Sequence, residues 1–364
     1  MGRHPTGLYR SIPPKQTFSC DHARMTISYE FDSTPKLGES LPIADGVHWL
    51  RMPLPFELAH INLWLLEDSD SWVIVDSGMR IDDSQTIWRK TIAGLMDDKP
   101  LRHVVVTHLH PDHVGCAGWL TDEYDVDLWM TRDEYLLCRI LVADHGRSAP
   151  EEGIRFYKAA GFPDDALGNY KKMFGMFGKY VAPLPEAYKR IEDGDQLTFA
   201  GHRWEIVVGR GHSPEHACLF DAERNLFISG DQILPTISSN VSVYPTEPEA
   251  NPLRDWIQSL HMLKTRLPED VLVLPSHGKP FRGAHDRLDA LIKEHLDGLD
   301  ALLAYCDEPR RAVDVFPALF KGRITKRNII MATGESISHL NYLVEENKIR
   351  KEHDADGVIW YQQA

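Results

Sequence analysis

Short apolar runs recur along the chain, and several stop at a polar turn. Trp72-Val73-Ile74-Val75 ends at Asp76-Ser77-Gly78, and Val104-Val105-Val106 runs into Thr107-His108. Val271-Leu272-Val273-Leu274 ends at Pro275-Ser276-His277-Gly278. Continuous runs of this length predict strands buried on both faces. Residues 47–52, 61–66, 196–199 and 203–208 read as further strands, and 217–220 with 226–229 as a hairpin across Ala222-Glu223-Arg224-Asn225. Helical spacing is clearest where Trp88, Ile92 and Leu95 share a face, with Ser84 as a candidate cap. Further helices are predicted from Gly115, over 253–263 and over Ala284–Tyr305.

This punctuation divides the chain into three parts. Residues 1–40 carry Pro5, Pro13, Pro14 and Pro35 among polar residues and read as an extended arm. Residues 41–285 alternate strands with helices, the α/β (α+β) pattern, and contain a mostly helical insertion over 132–190 rich in aromatics and methionines. Residues 286–364 begin with a linker helix. Helices at 313–320 and 327–344 and two short strands at 349–351 and 358–361 follow, the order of a winged helix-turn-helix. This tail reads as separable, so deleting 308–364 is expected to leave the site in the preceding part able to form.

Composition narrows the function. Asp and Glu total 54 against 40 Lys and Arg, a net charge of −14 that weighs against non-specific nucleic-acid binding. Five scattered cysteines without a CxxC pair argue against a disulfide framework or a cysteine zinc knot, and fit free thiols in a reducing compartment. No run is long enough for a membrane span and no secretory leader is visible, so a cytoplasmic location is expected. Gly2 and Thr6 fit the myristoylation pattern formally, but no second membrane signal accompanies them.

The candidate chemistry lies in the loops after strands, where layered α/β folds collect ligands. His108-x-His110-x-Asp112-His113 packs three imidazoles and a carboxylate into six residues. His108 and His110 alternate and can grip one cation. The turn at Pro111 can bring Asp112 and His113 to a second. His212, Asp231 and His277 each follow a strand and have a glycine beside them, which permits close backbone approach. Together the seven residues complete two coordination shells of imidazole and carboxylate, suited to Zn2+, with iron or manganese as alternatives. Cys116 and Cys218 lie near these motifs and read as packed residues. His216 reads as a neighbour of the ligands.

The order Asp76, His108-x-His110-x-Asp112-His113, His212, Asp231, His277 resembles the metallo-β-lactamase superfamily over about residues 45–285. The resemblance implies an αββα sandwich with metals at one edge. His108, His110 and His212 would hold one metal, Asp112, His113 and His277 the other, and Asp231 would bridge them. Asp76 would steady the ligand loops. His110 stands where redox flavodiiron members carry Glu, and Asp231 where the main β-lactamase subclass carries Cys, so the glyoxalase-II-like hydrolases fit best. Persulfide dioxygenases, with one iron, share much of the motif.

Two divalent cations about 3.5–4 Å apart lower the pKa of a shared water, and the bridging hydroxide can attack a carbonyl. Asp112 could orient that water or carry a proton. The expected substrate is a small-molecule thioester, ester or lactone. The aromatics and methionines of 132–190 either line an acyl pocket or make the insertion's own core. Lys171, Lys172, Lys179, Lys189 and Arg190 either meet an anionic carrier such as glutathione or coenzyme A or form a solvated face.

The alternative is an endoribonuclease or another nucleic-acid phosphodiesterase. It rests on the tail, where Lys321, Arg323, Lys326, Arg327, Lys348, Arg350 and Lys351 outnumber Glu335, Glu345 and Glu346. The large insert of dedicated nucleases is not evident. A non-enzymatic binding module would need an idle metal site, yet no ligand is missing. A homodimer through tail or insertion is also open.

Overall fold

The computed structural model describes residues 27–55, 59–96 and 98–364. The first part of the expected arm, with Gly2, Thr6 and Cys20, lies outside these residues. In chain order the strands are β1 (Ser40–Ala44), β2 (Val47–Pro53), β3 (His60–Glu67), β4 (Trp72–Val75), β5 (Leu101–Val105), β6 (Asp127–Met130), β7 (Lys189–Arg190), β8 (Gln196–Phe199), β9 (His202–Gly209), β10 (His216–Asp221), β11 (Leu226–Gly230), β12 (Leu272–Pro275), β13 (Ile349–His353) and β14 (Ile359–Gln363). The helices are α1 (Asp82–Gly94), α2 (Pro111–Val114), α3 (Ala117–Tyr124), α4 (Arg132–Ala143), α5 (Glu151–Ala159), α6 (Asp164–Met173), α7 (Phe177–Tyr180), α8 (Pro252–Arg266), α9 (Ala284–Tyr305), α10 (Phe316–Leu319) and α11 (Ile329–Glu345).

Strands β1 to β7 form one sheet in sequence order, and a second runs β12-β11-β10-β9-β8. In the first sheet β4, β5, β6 and β7 are parallel neighbours. In the second only β11 and β12 pair in parallel. The alternation of side chains explains the layers. Val73 and Val75 meet Trp204, Ile206, Leu219 and Leu274 between the sheets. Trp72 and Ile74 face outward onto Trp88 of α1 and Leu120 of α3. On the outer face of the second sheet Val207, Phe227 and Val273 pack on Trp256, Leu260, Leu288 and Leu291 of α8 and α9. The order is therefore helix, sheet, sheet, helix, the expected sandwich.

Several local expectations change. Ser84 lies inside α1, which begins at Asp82 after an extended Ile81, so it is no cap. The helix expected over 313–320 shortens to Phe316–Leu319. Strands β1, β6 and β7 were not anticipated, and β7 closes the insertion by pairing with β6. Residues 27–40, the described part of the arm, dock on the body: Ser28 bridges Arg282, Phe31 packs edge-on against Trp49, and Ser40 already begins β1.

The aromatics of the insertion are largely used in packing. Tyr157, Phe162 and Tyr170 make a small core with Ile154 and Leu167, to which Val313, Ile329 and Ile330 of the C-terminal part are added. Phe177 and Tyr180 pack on the core under the first sheet. The C-terminal domain, α10 and α11 followed by the β13–β14 hairpin, shares its core with the second sheet, through Ile337, Leu340, Leu343, Ile349 and Tyr361. Among the described residues no helix is long and apolar enough to cross a membrane.

Candidate metal centre

Five strand ends deliver the polar residues to one edge of the sandwich. The turn after β4 anchors them. Asp76 takes φ +65°, the left-handed region that non-glycine residues seldom occupy. Its carboxylate accepts from the Thr107 N–H at 2.8 Å and the Thr107 hydroxyl at 2.8 Å, and meets His113 Nδ1 at 2.7 Å. The Ser77 N–H and hydroxyl both donate to the His113 carbonyl at 2.7 Å, and the Trp88 indole holds the Ser77 carbonyl at 2.7 Å. Gly115 permits this closeness, since a Cβ there would lie 2.3 Å from the Pro111 carbonyl oxygen.

The seven expected residues converge. His108, His110 and His212 place one nitrogen each within 4.8 Å of one another, and Asp112, His113 and His277 offer one ligand atom each within the same spacing. Asp231 stands between the two sets. Its Oδ2 lies 3.5 Å from His212 Nε2, and its Oδ1 lies 3.5 Å from His113 Nε2 and 3.6 Å from His277 Nε2. Asp112 Oδ2 is 3.3 Å from His277 Nε2.

Outer hydrogen bonds decide which nitrogen faces the centre. His212 Nδ1 donates to the Asn240 carbonyl at 2.7 Å and His277 Nδ1 to the His60 carbonyl at 3.0 Å. A carbonyl only accepts, so Nδ1 carries the hydrogen and Nε2 is turned inward as a potential ligand. His113 Nε2, His212 Nε2 and Asp231 Oδ1 are buried without a hydrogen-bond partner. Such atoms are costly to leave alone. Their common orientation fits divalent cations, and the donor set of imidazoles and carboxylates suits zinc, iron or manganese.

Charge follows the same division. Burial, with His212 nearby, lowers the His110 pKa to about 3, and burial with His113 lowers that of His108 well below its ordinary value. Burial also opposes charge on His113 and His277, but carboxylates overcome it, chiefly Asp76 and Asp231 for His113 and Asp231 for His277, and both are raised. A cation bound here would compete with protons for these two rings.

Sequence reasoning placed His216 beside the ligands. The structure makes it a support: its Nε2 accepts from the Asp231 N–H at 3.0 Å, and its ring stacks on His108 at 4.6 Å. Gly230 accommodates it, because a Cβ there would lie 2.4 Å from the ring. Cys116 and Cys218 are buried, and burial pushes their thiols up, Cys116 to about 12, so neither is a ready nucleophile.

Three contributors carried no sequence signal: Glu134, Asn240 and Glu335. Asn240 supplies the carbonyl for His212, and its side-chain amide donates to Glu335 of α11 at 2.7 Å. Burial raises the Glu335 pKa from 4.5 to about 7, the hydrogen bond from Asn240 working against the shift. The folded state then keeps a proton that the unfolded chain releases near 4.5, so this group's contribution to stability falls as pH rises from there through about 7. Glu335→Gln keeps an acceptor for Asn240 and removes the penalty. Its Tm is expected to exceed that of the wild type at pH 8 and to match it near pH 4. Thermal melts at both pH values check this, and a lower Tm at pH 8 would contradict it.

Comparison with known proteins agrees with this geometry. A family model described as "Metallo-beta-lactamase superfamily" matches residues 58–277, and one described as "Metallo-beta-lactamase-like, C-terminal domain" matches 299–364. A solved beta-lactamase domain protein from Burkholderia ambifaria is similar at TM-score 0.85 and 38% identity, over 93% of this chain and 98% of that one. The probable metallo-hydrolase YqjP of Bacillus subtilis is 23% identical over 321 residues, 85% of this chain and 96% of that protein. Hydroxyacylglutathione hydrolase GloC of Haemophilus influenzae is 24% identical over 184 residues, 50% of this chain and 70% of that protein.

Proposed function

We propose, since this chain belongs to the metallo-beta-lactamase superfamily, that its site is a two-cation centre that hydrolyses an acyl thioester. The observation that carries the reading is Asp231, which turns one carboxylate oxygen toward His212 and the other toward His113 and His277. His108, His110 and His212 would hold one cation, Asp112, His113 and His277 the other, and Asp231 would span both. Bound divalent cations, zinc above all, would supply an acidified water and polarise the substrate carbonyl.

The chain's own groups do the rest. Asp76, Asn240 and His60 fix the tautomers and orientations of the histidines. Asp112 is one of the more accessible carboxylates of the site, 19% exposed at its side chain, and can accept a proton from the attacking water. His108 and His113 are fully buried, which strengthens the charge interactions of their rings.

Support for a thioester comes from two relatives, GloC, named a hydroxyacylglutathione hydrolase, and MBLAC2 of Bos taurus, named an acyl-coenzyme A thioesterase. A mononuclear iron reaction is less favoured, because the second set of ligands is assembled as fully as the first. The nucleic-acid reading is weakened by the tail, where Lys326 pairs with Asp165 at 2.9 Å, Lys351 with Glu249 at 2.5 Å and Arg350 with Glu352 at 3.3 Å.

Thiol release from a panel of acyl-coenzyme A and acyl-glutathione thioesters tests the proposal. The zinc-loaded protein should release thiol and the chelated protein should not. No release with metal confirmed bound would overturn the thioester and move the reading to esters and lactones.

A further inference from the structure

The helical insertion does more than cover its own core. Its first helix, α4, begins against the two loops that carry His110 and His212. Glu134 is fully buried there. One of its carboxylate oxygens accepts from the N–H of Leu109, the residue between His108 and His110, at 2.9 Å. The other accepts from the N–H of Glu215, three residues after His212, at 2.8 Å. Two neighbours repeat the attachment. The Thr131 hydroxyl donates to the Glu215 carbonyl at 2.7 Å, and the Asp133 N–H donates to the Glu215 carboxylate at 3.0 Å.

The other ligands are held differently. Asp76 and Ser77 grip His113, and the His60 carbonyl orients His277. The bonds from α4 thus go to the loops of the first set, whereas the turn after β4 holds His113 and, through Thr107, also reaches His108, whose Nδ1 lies 3.0 Å from the Thr107 hydroxyl.

We infer that Glu134 is a positioning residue for the His108–His110–His212 set, so that the insertion governs occupancy of one cation position independently of the other. The inference rests on the two-cation reading above. A carboxylate is suited to this role because its two oxygens accept from two backbone N–H groups at once. Glutamine at this position keeps the size but turns an NH2 group toward one of two donors. One backbone N–H is then left buried and unsatisfied, and the loop it belonged to loosens. Loss of such an outer partner typically weakens metal binding about 10–100-fold.

The test counts zinc per chain during dialysis against graded chelator, for the full chain and for Glu134→Gln, Thr131→Val, His212→Ala and His277→Ala. The wild type should hold two. Glu134→Gln should weaken one position about 10–100-fold and leave the other at wild-type affinity. Added to His212→Ala it should cause no further loss, and added to His277→Ala it should leave no tightly bound zinc. Thr131→Val, a milder cut of the same attachment, should weaken the same position by several-fold, and it carries the test alone if Glu134→Gln does not fold. A merely structural role would weaken both positions in parallel. That result, or unchanged binding at both, would overturn the inference. A wild type holding a single zinc would instead overturn the two-cation reading. In that case a drop in the affinity of that zinc in Glu134→Gln supports the positioning role and an unchanged affinity overturns it.

Discussion

Asp231→Ala is expected to lose both cations and with them the hydrolytic activity. Its two carboxylate oxygens are the groups that face both ligand sets, 3.5 Å from His212 Nε2 and 3.5 Å from His113 Nε2. Removing them strips an anionic ligand from each position, takes from His277 the carboxylate that most favours its charge, and leaves His113 with Asp76 as its chief one. The loss in metal affinity should exceed the roughly 10–100-fold typical of an outer partner. The backbone should survive, because His216 holds the Asp231 N–H and the Ser239 hydroxyl holds its carbonyl. Elemental analysis, a circular dichroism spectrum and an activity assay check the three parts. A folded variant with two cations and full activity would contradict the assignment.

Deleting residues 308–364 is expected to abolish soluble, metal-loaded protein. This reverses the expectation drawn from sequence. Ile337, Leu340, Leu343, Ile349 and Tyr361 belong to the same core as Trp256, Leu260 and Leu288. Burial of each large apolar side chain is worth about 1.5–3 kcal/mol, so exposing their partners removes an amount comparable to the whole stability of a domain, about 5–15 kcal/mol. The deletion also reaches the metal centre. The Val243 N–H donates to the Gly334 carbonyl, the Ser242 hydroxyl lies 3.1 Å from the Met331 carbonyl, and Asn240 leans on Glu335. These bonds hold the loop whose Asn240 carbonyl orients His212. Soluble yield and zinc content of the truncated chain measure the effect. A monomeric truncation with two cations would show that the tail is separable after all.

The contrast between these two cases shows what was legible in the sequence. Strands β4 and β12 and the Val104–Val105 end of β5 are buried on both faces, so their apolar runs stood out, and ligands follow β5 and β12 directly. The His108–His113 cluster is dense enough that few arrangements other than a metal site accommodate it. By comparison β6 opens with an exposed Asp127, and β7 has two residues that owe their pairing to β6. Neither has a pattern of its own. The tail shows helical spacing, but spacing cannot tell which core receives the apolar face. In α11 Gly334 is buried, and a Cβ there would lie 2.8 Å from Ser242 and Val243, so the glycine lets the helix come close to the 239–243 loop. Glu134 has no motif because its partners are backbone N–H groups, which leave no trace in side-chain identity.

The account stands most directly on the positions of the cations. Anomalous diffraction from crystals of the zinc-loaded protein, recorded on both sides of the zinc absorption edge, locates them. Two peaks are predicted, one among His108, His110 and His212 and the other among Asp112, His113 and His277, with the Asp231 carboxylate between them. A single peak, or zinc bound away from Asp231, would contradict the two-cation centre.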